Sequence, residues 1–168
     1  MPRGQPGVPV RNPEARLLSD YLARYYPTTR VQLQARIGGV NPQDPAGNYS
    51  SAELRALGVW RRYVDAVLFL PDKVILLEAS LKPDPGKISI LDLYAHLFPQ
   101  TPEFAEFKGL PIQKTALWAM HDQASELIAR QHNVTVVIFA PDWLQGFLDT
   151  LDTRHQRAPL TELSVVSS

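Results

Sequence analysis

Residues 60–81 of this chain read WRRYVDAVLFLPDKVILLEASL, and this stretch decides the fold. Two apolar runs, 60–70 and 73–81, flank Pro71 and Asp72, a pair that is typical of a tight turn. The pattern therefore predicts a β-hairpin. Both runs are almost continuously apolar, which indicates strands that are covered on both faces of a sheet.

Each predicted strand contains one carboxylate, Asp65 in the first and Glu78 in the second. Burying an unpaired carboxylate is costly, and two like charges side by side call for a cation between them. Mg²⁺ or Mn²⁺ fits because hard divalent ions prefer oxygen ligands, and the backbone carbonyl of Ala79 would be a further ligand. The alternative is that each acid marks a strand end and pairs with Arg61, Arg62 or a helix N-terminus.

The segments on either side of the hairpin have clear periodicities. Asn12 and Pro13 predict the start of a helix that Pro27 ends, and residues 30–37 alternate as a half-buried strand does. After the hairpin, the spacing predicts a helix over 88–98, a strand over 111–120, a helix over 121–132, a strand over 134–140 and a helix over 142–151. For residues 117–120 the pattern is also compatible with a helix.

The resulting order, α-β-β-β-α-β-α-β-α, predicts an α/β domain with a mixed central sheet flanked by helices on both faces. This domain is expected over residues 12–152, between an extended N-terminal segment, 1–11, and a C-terminal tail, 153–168. Gly, Pro and Asn predict a loop over 38–51, and a short helical turn is expected over 51–57.

Composition excludes several classes of site. The chain of 168 residues has no cysteine, which excludes disulfides, thiolate zinc sites and cysteine nucleophiles. Lysine plus arginine equals aspartate plus glutamate at 17 each, so any contact with nucleic acid depends on a local patch. The four histidines lack ligand spacing, and no stretch reaches the roughly 20 apolar residues of a membrane span. We expect a protein that is neither secreted nor membrane-bound, in the cytoplasm or inside a virus particle.

The two acids and their surroundings resemble a known motif. Asp65, the tight turn and the run Ile75-Leu76-Leu77-Glu78-Ala79 are similar to the Asp…(Asp/Glu)-x-Lys motif of the PD-(D/E)XK, or restriction-endonuclease-like, nuclease superfamily. Members place these acids on the second and third core strands, after a first helix and before a further helix and strand. The matching order covers roughly residues 12–140 of this chain.

Two further positions bear on the resemblance. Tyr94 falls in the helix after the motif, where many members carry a Gln-x-x-x-Tyr element, although the Gln position holds Ile90. Glu14, in the first helix, matches a position where some members have an extra acidic residue.

Ser80 departs from the motif, since members place the catalytic lysine there. In the family, the ammonium of this lysine positions the attacking water and stabilises charge in the transition state, which serine cannot do. Lys82 lies on the same strand face about 7 Å further along. Lys87, at the start of the next helix, is a second candidate, because some relatives carry the lysine on another element. The alternative is that both lysines are solvated loop residues.

The resemblance implies a Mg²⁺- or Mn²⁺-dependent DNA phosphodiesterase, with Asp65, Glu78 and Ala79 as metal ligands and Lys82 or Lys87 as the catalytic lysine. It equally allows a degenerate derivative that keeps the fold and has lost catalysis. The alternative function rests on the resemblance to small nuclease-like proteins of bacteriophages: an inactive structural or binding component of a phage head, neck or tail, with other proteins of the assembly as its partners.

Overall fold

A computed structural model describes residues 12–38, 50, 52 and 62–157. The predicted N-terminal segment, most of the predicted loop and helical turn, and the tail from 158 onward lie outside these residues. In chain order the described elements are α1 (Pro13–Tyr25), β1 (Arg30–Ile37), β2 (Arg62–Phe69), β3 (Val74–Ser80), α2 (Pro85–Leu97), β4 (Ile112–Trp118), α3 (Gln123–Gln131), β5 (Val134–Ile138) and α4 (Trp143–Arg157). No helix within them is long and apolar enough to cross a bilayer.

The five strands form one mixed sheet in the order β1-β2-β3-β4-β5. Strand β2 is antiparallel to β1 and β3, whereas β3, β4 and β5 run parallel to one another. The amide of Leu70 donates to the carbonyl of Lys73 (3.0 Å) across the Pro71-Asp72 turn, which closes the predicted hairpin. The α/β class, the element order and the mixed sheet are thus confirmed.

Helices cover both faces of the sheet, and β3 is therefore buried along its whole length. Alternate residues of β3 pack into two separate apolar cores. Leucines and an aromatic residue of α1, with one leucine of α4, cover the first face: Leu17, Leu18, Tyr21, Leu22 and Leu144. The second face is covered mainly by α2, α3 and the residue that follows α2, through Ile88, Leu91, Tyr94, Ala129 and Phe98.

Polar side chains begin the helices at predictable places. The side chain of Asn12 accepts from the amide of Ala15 (3.0 Å), as its sequence position predicts. Asp122 caps α3, since its side chain accepts from the amide of Ser125 (2.9 Å). These caps fix where α1 and α3 start.

Helix α2 starts at Pro85, earlier than the predicted residue 88, because Asp84 acts as its N-cap and accepts from the amide of Gly86 (2.8 Å). The apolar periodicity shows only from Ile88 onward, so it missed this first polar turn. The earlier start places Lys87 inside the helix. Two short 3-10 helices, Phe98–Gln100 and Pro102–Phe107, were also not predicted, and α4 continues past 151 to Arg157.

Two links hold α2 in a fixed orientation on the sheet. The hydroxyl of Tyr94 donates to the backbone carbonyl of Tyr63 on β2 (2.6 Å). The carboxylate of Asp92 binds both Lys114 on β4 and His132 at the end of α3. The first residues of α2 are therefore held over the ends of β2 and β3.

We predict that Leu76→Ala will lower the free energy of unfolding by about 2–5 kcal/mol, because Leu76 is fully buried beneath α2 and its loss leaves a cavity. Urea denaturation followed by circular dichroism measures this cost. The matched control is Leu127→Ala on α3, a leucine that is 57% exposed and should change stability by less than about 0.5 kcal/mol. Equal urea midpoints for the two variants would contradict the core described above.

Candidate active site

Asp65 and Glu78 lie at the end of the β2–β3 backbone ladder, whose last pair is Ala66 with Leu77. Beyond this pair, hydrogen bonds from backbone amides to the two carboxylates take the place of the backbone–backbone hydrogen bonds. The Asp65 carboxylate accepts from the amide of Ala79 (2.9 Å), and the Glu78 carboxylate accepts from the amide of Asp65 (3.2 Å). Each acid thus binds a backbone amide on the opposite strand, which fixes both carboxylates next to each other.

The strands are distorted at this point. Ala66 packs into the core under α1, but Val64, which regular alternation would put on the same face, packs into the core under α2. On β1, opposite Asp65, Gln34 adopts a φ of 48°, a conformation that is uncommon for a residue other than glycine. Its side-chain amide donates to the Asp65 carboxylate (3.1 Å). Backbone strain of this kind is typical of functional sites.

The ammonium of Lys87 completes the cluster. It donates to the backbone carbonyl of Ala79 (2.5 Å). It also lies 3.6 Å from a Glu78 carboxylate oxygen, 3.7 Å from an Asp65 oxygen and 3.9 Å from a Glu14 oxygen. Because Lys87 is the third residue of α2, the helix carries this positive charge to the ends of β2 and β3.

The two candidate lysines lie in different environments, since Lys87 is part of the acid cluster and Lys82 is not. Lys82 is exposed in the segment between β3 and α2, and in the described part of the chain it forms no ion pair with either acid. Ser80, at the motif position of the lysine, is buried, and its hydroxyl has no hydrogen-bond partner among the described residues. The indole N–H of Trp118, the neighbour of Ser80 on β4, is likewise buried without a partner there.

Burial controls the protonation of Glu78. Its side chain is 7% exposed. Desolvation, reinforced by the charge of Asp65, raises the pKa of Glu78 to about 8, although Lys87 acts in the opposite direction. Burial and the same two acids raise the pKa of Tyr94 to about 12, so its hydroxyl stays a donor to Tyr63. At neutral pH Glu78 is therefore mainly protonated when no cation is bound.

The donors that could hold a metal ion are the carboxylates of Asp65 and Glu78 and the carbonyl of Ala79. Among the described residues no group of three histidine, cysteine, aspartate or glutamate side chains could form a metal site by itself. An all-oxygen set of two carboxylates and one carbonyl nevertheless fits Mg²⁺, which usually retains several waters beside one or two carboxylates. Burial raises the pKa of Glu78, and a cation bound at the site would oppose this effect because it favours the charged carboxylate.

A depression of about 160 Å³ adjoins the acids, between α1 and β1. Its lining combines apolar and polar side chains: Asn12, Glu14, Ala15, Leu18, Ser19, Leu33, Gln34 and Asp65. The sequence did not single out Gln34 or Leu33. The only signal for Gln34 would have been the β1–β2 register, which brings it opposite Asp65.

Arg61 and Arg62, the alternative partners of the acids, and Ile90 are further residues named from the sequence. Arg61 lies outside the described residues, and Arg62 is exposed. Ile90, at the expected glutamine position, is 40% exposed. The indole of Trp143 donates to Asp20 (2.7 Å), which joins α4 to α1.

No family model matches the chain, and no curated protein matches it at a significant level. Among solved structures, the chain is similar to protein VC1899 from Vibrio cholerae, with 13% sequence identity and a TM-score of 0.43. The match covers 84% of this chain and 32% of that protein, so this chain spans about a third of its length. A likeness at this level carries no inference about function.

We predict that the protein without divalent cations becomes less stable as pH rises from about 5 to about 8. The folded state keeps a proton on Glu78 up to a pKa of about 8, whereas the unfolded chain loses it near 4.5. The folded state thus binds more protons in this window. The contribution of Glu78 to stability is therefore fully present below the lower pKa and is lost as the pH rises through the higher pKa. A tenfold difference in proton affinity between the folded and unfolded states corresponds to about 1.4 kcal/mol.

Urea midpoints measured across this pH range test the prediction, with Glu78→Gln as the matched variant. Glutamine keeps the shape and cannot ionise, so the variant should show a flatter profile and should be more stable than wild type at pH 8. A profile for Glu78→Gln as steep as that of wild type would show that another group causes the pH dependence.

Proposed function

We propose that this chain is a metal-dependent DNA phosphodiesterase of the PD-(D/E)XK type, in which Lys87 on α2 supplies the lysine that the motif lacks at Ser80. The observation that carries the proposal is the position of the Lys87 ammonium, within 4 Å of both motif acids and bonded to the carbonyl of Ala79. Two buried or half-buried acids and one lysine are the groups that phosphodiester hydrolysis needs at such a site.

Asp65, Glu78 and the carbonyl of Ala79 would hold Mg²⁺ or Mn²⁺, which when bound neutralises charge on the phosphate and lowers the pKa of a water. Gln34 and the amide of Ala79 keep the Asp65 carboxylate in place from two sides. Lys87 would hydrogen-bond the attacking water or a non-bridging phosphate oxygen. The anchors of α2 at Tyr94 and Asp92 maintain the position of this ammonium.

We predict that the purified protein cleaves DNA in Mg²⁺ or Mn²⁺ and that Lys87→Met lowers the rate by about a hundredfold or more, as loss of a single charged transition-state contact does. Asp65→Asn and Glu78→Gln should also remove cleavage, since each alters a carboxylate of the site. Release of a fluorescent end label from DNA measures the rate.

The matched control for the lysine is Lys82→Met, which removes an exposed ammonium five positions away and should leave the rate unchanged. If Lys82→Met abolished cleavage and Lys87→Met did not, the lysine of the site would be Lys82. Cleavage that persisted in both acid variants would show that the activity does not belong to this site.

A second prediction concerns metal binding without catalysis. At pH 8, excess Mg²⁺ should raise the unfolding midpoint of the wild-type chain, because a ligand at 100 times its Kd stabilises the folded state by about 2.7 kcal/mol. Asp65→Asn should abolish this effect, and sodium at matched ionic strength should not reproduce it. An equal response to Mg²⁺ in wild type and in Asp65→Asn would place the bound ion elsewhere.

The second candidate function is that of an inactive nuclease-fold component of a phage particle. The observation that favours it is the position of the Lys87 ammonium, which offsets the negative charge of the acids without any metal ion. This candidate predicts no cleavage and no stabilisation by Mg²⁺ or Mn²⁺. It also predicts a defined oligomer or partner complex in size-exclusion chromatography with light scattering.

A further inference from the structure

We infer that the depression between α1 and β1 binds one unpaired nucleobase that carries an exocyclic amino group, beside the phosphodiester at the acids. The inference rests on the proposed function and names its substrate class: single-stranded DNA, or DNA with frayed ends, that contains adenine, cytosine or guanine at the site. Base pairing would exclude a nucleotide from this depression.

The depression and the acid cluster share two walls. Asp65 and Glu14 line the depression, and both lie within 4 Å of the Lys87 ammonium. Their negative charge disfavours a phosphate inside the depression, whereas Lys87 is the nearby positive group. A nucleotide bound here would therefore direct its phosphate toward Lys87 and its neutral base toward the space between α1 and β1.

The size of the depression matches one ring system. Its volume of about 160 Å³ is close to that of a cavity of about 150 Å³ that holds one benzene ring. This space can hold a single base and is too small for a base pair. An enzyme that must insert one base into a pocket acts on a single strand or has to unpair the base first.

Apolar walls are suited to the faces of a base. Leu18 is almost fully buried, whereas Leu33 is 55% exposed on β1, one of the two outer strands of the sheet among the described residues. A large exposed leucine beside charged groups loses water contact when a flat ring packs against it, which favours binding. Such packing against a base face is independent of sequence.

The hydrogen-bonding groups of the depression next to the acid cluster, those of Asp65, Glu14 and Gln34, include free acceptors, while Asn12 and Ser19 lie on the α1 side. The amide nitrogen of Gln34 is used by Asp65, which leaves the Gln34 carbonyl oxygen to accept. The Glu14 carboxylate is 48% exposed and accepts as well. Adenine, cytosine and guanine present an amino donor to such acceptors, whereas thymine has no exocyclic amino group.

The test compares wild type with Leu33→Ala on matched substrates. Wild type should cleave a single-stranded oligonucleotide at least about tenfold faster than its duplex, and oligo(dA) faster than oligo(dT). Leu33→Ala should lower single-strand cleavage roughly tenfold, the effect of losing apolar contact with one base. Leu33→Met, which keeps most of the apolar volume, should lose less activity than Leu33→Ala, and Leu127→Ala, at matched exposure (57%), is the control that should retain wild-type rates.

Binding is measured separately, by the fluorescence anisotropy of labelled oligo(dA) and oligo(dT) in Ca²⁺. Cleavage that is equal on single strand and duplex and unaffected by Leu33→Ala would overturn the base site and leave the phosphodiesterase intact. Absence of all cleavage, with oligo(dA) binding that Leu33→Ala weakens, would overturn the phosphodiesterase and support the base site. Absence of cleavage with unchanged binding would overturn both.

Discussion

The ammonium of Lys87 lies among three carboxylates and one carbonyl, and the geometry of the site depends on this group. Asp65 and Glu78 end the β2–β3 ladder side by side, each bonded to a backbone amide of the opposite strand. Their proximity and burial are unfavourable unless a positive charge is near or one acid is protonated. The site uses both solutions, since Lys87 contacts both acids and Glu78 has a raised pKa.

The position of Lys87 follows from how α2 is fixed to the sheet. Asp84 starts the helix early enough to include the lysine, Tyr94 binds a carbonyl of β2, and Asp92 joins Lys114 on β4 with the end of α3. The packing of α2 on the sheet therefore determines where the Lys87 ammonium lies. A helix rotated on its axis would move the ammonium away from the acids.

The buried environment of Ser80 provides a physical reason for a lysine on the helix. Ser80 is 4% exposed and lies beside the fully buried Trp118. An ammonium that stayed in this place would lose its hydration and would compete with the indole for space. Lys87 reaches the same acids from the start of α2 with 22% of its side chain exposed, so its charge remains partly solvated.

The sequence by itself determined the hairpin, the order of elements and the candidate acids, because apolar periodicity, the Pro71-Asp72 turn and carboxylates inside apolar strands are local signals. It left the choice between Lys82 and Lys87 open, and it did not single out Gln34 or the depression beside Leu33. Only the tertiary structure brought these groups together, since the contacts join α1, β1, β2 and α2, which are distant along the chain. Strand alternation placed Lys82 near Glu78, but the strand ends at Ser80, and helix packing decided which ammonium meets the acids.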